Sequence, residues 1–177
     1  IPDRIAGATY LAMGAVTGGE IILEDAFYKD MSAILHIMKD MGVCFVNEEN
    51  RIISKPAGNL KNAYTIRTMP YPGFPTDIQP PFMAMAAVCD GTVVFNGTIF
   101  ENRFRHAGEL VRMGADIRVH GRTAVVTGVK ELYGINTVAY DLRGGAAMVL
   151  AGLVARGTTI IEGAEYIDRG YENIELV

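Results

Sequence analysis

The sequence predicts an α/β (α+β) domain made of three copies of one unit, the third incomplete, and three observations carry that expectation. An Asp stands ahead of an apolar stretch at Asp3, Asp77 and Asp141. Each stretch ends at a Gly followed by a strand-like run: Gly19-Glu20-Ile21-Ile22-Leu23, Gly91-Thr92-Val93-Val94-Phe95 and Gly157-Thr158-Thr159-Ile160-Ile161. A Met-Gly pair then recurs at one spacing, from Gly19 to Gly42 and from Gly91 to Gly114, 23 residues in each copy.

Taken in order, each copy opens with a helix that an Asp can cap and a Gly can stop, and the β-branched residues beyond the Gly favour a strand. A second helix closes at Met41-Gly42 in copy one and at Met113-Gly114 in copy two. In copy one the strand Val43–Val46, the polar tip Asn47–Asn50 and the return strand Arg51–Ser54 read as a hairpin. In copy two the same reading covers Ala115–Val119, His120-Gly121-Arg122 and Thr123–Val126. The third copy would reach its Met-Gly position at 180, past Val177, so the chain is expected to stop inside a helix that begins near Gly170, with the closing hairpin missing or supplied from elsewhere. The expected organisation is a single lobe over 1–177, with repeats at about 1–60, 61–130 and 131–177 and helices covering one side of mixed sheets. Met31, Met38 and Met41 lie at helical spacing and read as a core stripe.

With 177 residues, 50% hydrophobic and 20% charged, the chain can bury a core of ordinary size. A net charge of −4 and a pI near 5.4 offer no long-range attraction to nucleic acid or to an anionic membrane, so an anionic ligand would have to be held by local charge. Charged residues or Gly interrupt every apolar stretch before it is long enough to span a bilayer. The start at Ile1-Pro2-Asp3-Arg4 carries no secretion signal and is expected to be a cut. Cys44 and Cys89 both read as buried thiols in a reducing compartment. His36, His106 and His120 have no paired ligand spacing, and no metal is expected. Gly144-Gly145 lies outside any phosphate-loop or dinucleotide fingerprint and reads as close helix packing.

Five strings carry a resemblance to a known family: Ile1-Pro2-Asp3-Arg4-Ile5, Pro72-Gly73-Phe74-Pro75-Thr76-Asp77-Ile78-Gln79, Thr98-Ile99-Phe100-Glu101-Asn102-Arg103-Phe104, Asp141-Leu142-Arg143 and Asp168-Arg169-Gly170-Tyr171-Glu172. In this order the sequence resembles the second half of UDP-N-acetylglucosamine enolpyruvyl transferases over essentially its whole length. The resemblance implies an inside-out α/β barrel lobe of three βαβαββ-like repeats. It implies a cytoplasmic bacterial enzyme of peptidoglycan synthesis whose site lies in a cleft between two lobes. The other lobe, bearing a Lys-Asn pair and a Cys or Asp loop, would be the missing partner. Ala6 departs from the family, which usually has Glu there.

Asp77 reads first as a helix cap, like Asp3 and Asp141. The resemblance adds a second role, contact with the 3′-hydroxyl of N-acetylglucosamine and removal of its proton. Arg103 and Arg169 stand twelve residues after Gly91 and Gly157, where copy one has Met31. Taken alone, each could be a surface Arg paired with Glu101 or Asp168. The resemblance implies that Arg103 and Arg143 bind the carboxylate of phosphoenolpyruvate and Arg169 its phosphate. The planar, permanently charged guanidinium suits both. It also implies contact between Ile99 and the sugar nucleotide, with Glu101 and Asn102 holding the arginines in place. No cofactor is implied, and the isolated chain is expected not to turn over. Self-association through the face left open by the other lobe is a further expectation. A 5-enolpyruvylshikimate 3-phosphate synthase-like lobe and a non-catalytic sugar-nucleotide-binding module of the same fold remain as alternatives.

Overall fold

The computed structural model describes residues 3–56, 58–63, 65–98 and 104–176. The chain runs α1 (Arg4–Thr17), β1 (Ile21–Leu23), α2 (Tyr28–Asp40), β2 (Cys44–Glu48), β3 (Arg51–Lys55), β4 (Thr65–Arg67), α3 (Gln79–Ala86), β5 (Thr92–Asn96) and α4 (Arg105–Arg112). It continues with β6 (Asp116–His120), β7 (Thr123–Thr127), β8 (Asn136–Val138), α5 (Leu142–Val154), β9 (Ile160–Glu162) and α6 (Ala164–Asp168). Short 3-10 turns cover Thr76–Ile78 and Ile174–Leu176.

Three sheets form, in the orders β1-β3-β2, β4-β5-β7-β6 and β8-β9. The hairpins lie where the alternating runs predict them. Ile22 opposes Ile53 in the first sheet as Val94 opposes Val125 in the second, so the first two units share a register. The linkers between units are also alike. Lys61 N donates to Met41 O and Tyr133 N to Met113 O; Asp90 N donates to Leu60 O and Arg156 N to Leu132 O.

Helices α1, α3 and α5 pack against one another, and each lies on the sheet of its own unit. All eight residues of α3 are buried, as is most of α1 and α5. A helix that is apolar on every side belongs in a core. The sheets therefore lie outside a central three-helix bundle, and this is the inside-out arrangement. Small residues allow the close packing: a Cβ on Gly145 would stand 2.5 Å from Ile167 Cγ1. Met31, Met38 and Met41 are buried as the stripe predicts.

Four expectations need correction. Cys44 is exposed, because it opens β2, most of whose residues face solvent. Gly18, not Gly19, is the left-handed residue ending α1, at φ 73°. The late helix does not begin near Gly170: α6 spans Ala164–Asp168, and a 3-10 turn follows at Ile174–Leu176. Asp77 does not cap a helix in the manner of Asp3 and Asp141.

Candidate active site

The first turns of α1, α3 and α5 are brought together at one end of the bundle, and the side chains around them come from all three units. At α1 the Asp3 carboxylate accepts from Ile5 N (2.8 Å) and Ala6 N (3.2 Å). At α5 the Asp141 carboxylate accepts from Gly144 N at 2.7 Å. Both are N-caps, satisfying backbone donors that a helix start leaves unpaired.

The middle unit is built differently. Between β4 and α3 the chain makes a tight turn in which Gly73 N donates to Pro70 O and Met69 N to Phe74 O, both at 2.8 Å. Only Gly fits at position 73, since a Cβ there would lie 2.5 Å from Met69 Cβ. Phe74 anchors the turn by packing edge-on against Phe82 at 5.1 Å. Asp77 then falls inside the 3-10 turn Thr76–Ile78, and the cap position of α3 passes to Ile78, which has no side-chain cap bond.

The half-exposed Asp77 carboxylate instead faces the last unit: Arg143 Nε lies 3.8 Å from Asp77 Oδ2. Arg143 is held from below. Its guanidinium sits 5.4 Å from the centre of the Tyr171 ring, and cation–π attraction favours that stacking. Tyr171 is buried, packs edge-on against Tyr10 at 6.2 Å, and shares a 2.9 Å hydrogen bond with Thr9 Oγ1. Thr9 Oγ1 in turn donates to Ile5 O in the same helix. Thus α1 positions Tyr171, Tyr171 supports Arg143, and Arg143 faces Asp77. Arg143 Nε and Nη1 are buried and have no hydrogen-bond acceptor among the described residues. Arg4, next to the α1 cap, stacks over Tyr71 of the middle-unit turn at 4.8 Å.

The structure thus brings Asp77 and Arg143 together. Arg169 is exposed at the C-cap of α6, and the adjoining Gly170 packs closely against Leu142. Ile99, Glu101, Asn102 and Arg103 lie outside the described residues. Ala6 is half-buried and packs against the cluster that holds Tyr171. Sequence reasoning missed Thr9 and Tyr171. It also missed Gln79, a fully buried amide on the first turn of α3 with neither end hydrogen-bonded among the described residues. An aromatic residue within the charged string Asp168–Glu172 was the available signal for Tyr171.

The arrangement offers a proton acceptor beside a guanidinium whose Nε and Nη1 have no hydrogen-bond acceptor among the described residues, at helix N-termini whose dipoles favour anions. Neither cysteine belongs to it. Cys89 is buried, and desolvation, reinforced by the neighbouring Asp90 carboxylate, pushes its thiol up to about 12. No group of His, Cys, Asp and Glu among the described residues could hold a metal ion. No described helix is long and apolar enough to cross a membrane.

Comparison with known proteins places this geometry in context. The family model for EPSP synthase (3-phosphoshikimate 1-carboxyvinyltransferase) matches residues 1–177. A protein of Caldanaerobacter subterraneus subsp. tengcongensis named UDP-N-acetylglucosamine 1-carboxyvinyltransferase 2 is 47% identical over 176 residues, 99% of this chain and 42% of its own length. A protein of Thermodesulfovibrio yellowstonii named UDP-N-acetylglucosamine 1-carboxyvinyltransferase is 49% identical over 175 residues, with the same coverage of both chains. Among solved structures, the enolpyruvyl transferase NikO from Streptomyces tendae superposes with a TM-score of 0.86 at 24% identity, covering 99% of this chain and 42% of that one. EPSP synthase from Acinetobacter baumannii superposes at 0.69 and 22% identity, covering 92% and 39%. The chain spans about two fifths of the length of the curated relatives it matches.

Proposed function

Because these 177 residues belong to the family that the EPSP synthase model describes, we propose that they form one lobe of an enolpyruvyl transferase. Its substrates would be phosphoenolpyruvate and UDP-N-acetylglucosamine, and its place a cytoplasmic step of peptidoglycan synthesis. The observation that carries this reading is the meeting of Asp77 and Arg143, from different units, with two buried guanidinium donors that have no hydrogen-bond acceptor among the described residues. A buried charged donor without a partner is costly, and an anionic substrate would offset that cost.

In the proposed reaction an acid from outside this chain protonates the methylene carbon of phosphoenolpyruvate. The 3′-oxygen of the sugar forms a bond to the adjacent carbon while its proton passes to Asp77. A hydroxyl is a far weaker acid than a carboxylic acid, so proton removal accompanies bond formation rather than preceding it. The tetrahedral intermediate then expels phosphate and loses a methyl proton, restoring the double bond on the new ether. Arg143 holds the substrate carboxylate by charge-assisted hydrogen bonds. Arg103 on the same carboxylate, Arg169 on the phosphate and Ile99 on the sugar nucleotide complete the proposed contacts.

The names of the relatives favour the sugar nucleotide over shikimate 3-phosphate. The remaining contacts would come from a second lobe. A phosphate-release assay with both substrates tests this. The expected result is no turnover by the 177 residues alone and turnover when the rest of the enzyme is present. Steady release by the chain alone would contradict the reading.

A further inference from the structure

The hydroxyl contact between Thr9 and Tyr171 has a direction. Thr9 Oγ1 carries one proton, and that proton is committed to Ile5 O at 3.0 Å. In the 2.9 Å contact between the two hydroxyls Thr9 Oγ1 is therefore the acceptor and Tyr171 the donor. A phenol that donates leaves more negative charge on its oxygen and ring, and the ring face then attracts a cation more strongly. The cation on that face is the Arg143 guanidinium, 5.4 Å from the ring centre.

The repeat does not demand this pair. Thr9 stands ten residues before Gly19, and the same places before Gly91 and Gly157 hold Pro81 and Ala147. Tyr171 stands fourteen residues after Gly157, and the same places after Gly91 and Gly19 hold Arg105 and Ala33. Both residues are nonetheless enclosed, Thr9 at 0% and Tyr171 at 1% exposure, where a hydroxyl is costly without a partner.

We infer that Tyr171, oriented by Thr9, is a positioning residue for the anion. The pair sets the direction in which Arg143 presents its guanidinium, and with it the affinity for the carboxylate of phosphoenolpyruvate. It acts across units, since Thr9 lies on α1 of the first unit and Arg143 on α5 of the last. The inference rests on the proposed reading of Arg143 as the partner of that carboxylate. The carboxylate keeps its charge through the addition, so its contact with Arg143 is equally strong in ground and transition states. Weakening that contact raises KM rather than lowering kcat.

The test uses three variants of the full enzyme. Thr9→Val keeps the shape and removes the acceptor, Tyr171→Phe keeps the ring and removes the donor, and Thr9→Ser restores the acceptor. A hydrogen bond of ordinary strength predicts a rise of about threefold to tenfold in KM for phosphoenolpyruvate in the first two. The KM for the sugar nucleotide stays that of the parent, and Thr9→Ser behaves as the parent. Thr9→Val combined with Tyr171→Phe is no worse than either alone, because both remove one contact. An unchanged KM for phosphoenolpyruvate in both single variants would overturn the inference. So would an equal rise in KM for both substrates, which a general loosening of the lobe produces. The parent separates this failure from that of the transferase reading. If the parent does not bind phosphoenolpyruvate saturably, both fall; if it does, an unchanged KM in the variants removes the brace alone.

Discussion

The segments leading into α3 and α5 start from the same place in the repeat and use their Asp differently. In the last unit two residues separate β8 from Asp141, and the carboxylate is committed to the first turn of its own helix. In the middle unit the turn through Pro70, Gly73 and Phe74 intervenes, Asp77 moves into a 3-10 turn, and its carboxylate meets Arg143 of another unit. One acidic position serves stability in one copy and faces the candidate site in the other, and the length of the preceding loop decides which.

Exchanging the two carboxylates for neutral groups gives the sharpest contrast. Asp77→Asn in the full enzyme is expected to lower turnover by roughly 10²–10⁴-fold, the usual contribution of a positioned general base. Its ion pair joins a half-exposed carboxylate to a guanidinium only 13% exposed, and should contribute about 1 kcal/mol or less to stability. Comparable turnover in the variant and the parent would break the contrast. Gly73→Ala tests the turn that sets Asp77 apart. The added Cβ meets Met69, and overpacking of this kind costs about 1–3 kcal/mol, visible as a lower denaturant midpoint. The smallest effect belongs to Asp141→Ala, a lost cap worth about 1 kcal/mol. For a chain of this size that is about 2–4 °C in thermal midpoint. A large loss of turnover without a change in midpoint would assign Asp141 to the site instead.

Much of the fold is legible locally. The hairpins follow from alternation around polar tips, Gly42 and Gly114 adopt the positive φ expected after a helix, and Asp3 and Asp141 cap as their positions predict. The strands β4 and β8 were not legible. Each is three residues long, and each gains its partner only when β5 or β9 is folded beside it. The exposure of Cys44 was missed for a related reason, since an apolar-looking run does not reveal which face of a hairpin meets the helices. The site was legible only through family resemblance. Spacing alone left Asp77 a cap and Arg143 an unremarked helix residue, because their meeting is tertiary. The support from Thr9 and Tyr171 joins residues at opposite ends of the chain, and no local pattern encodes it.

The central claim is that Arg143, braced by Tyr171 and facing Asp77, receives the anionic substrate. Arginine side-chain ¹H–¹⁵N NMR of the full enzyme during titration with phosphoenolpyruvate tests it most directly, with the Arg143→Lys variant identifying the signal. A saturable shift of the Arg143 Nε–H resonance is expected. An Arg143 resonance that stays in place while the enzyme saturates with phosphoenolpyruvate would contradict the account.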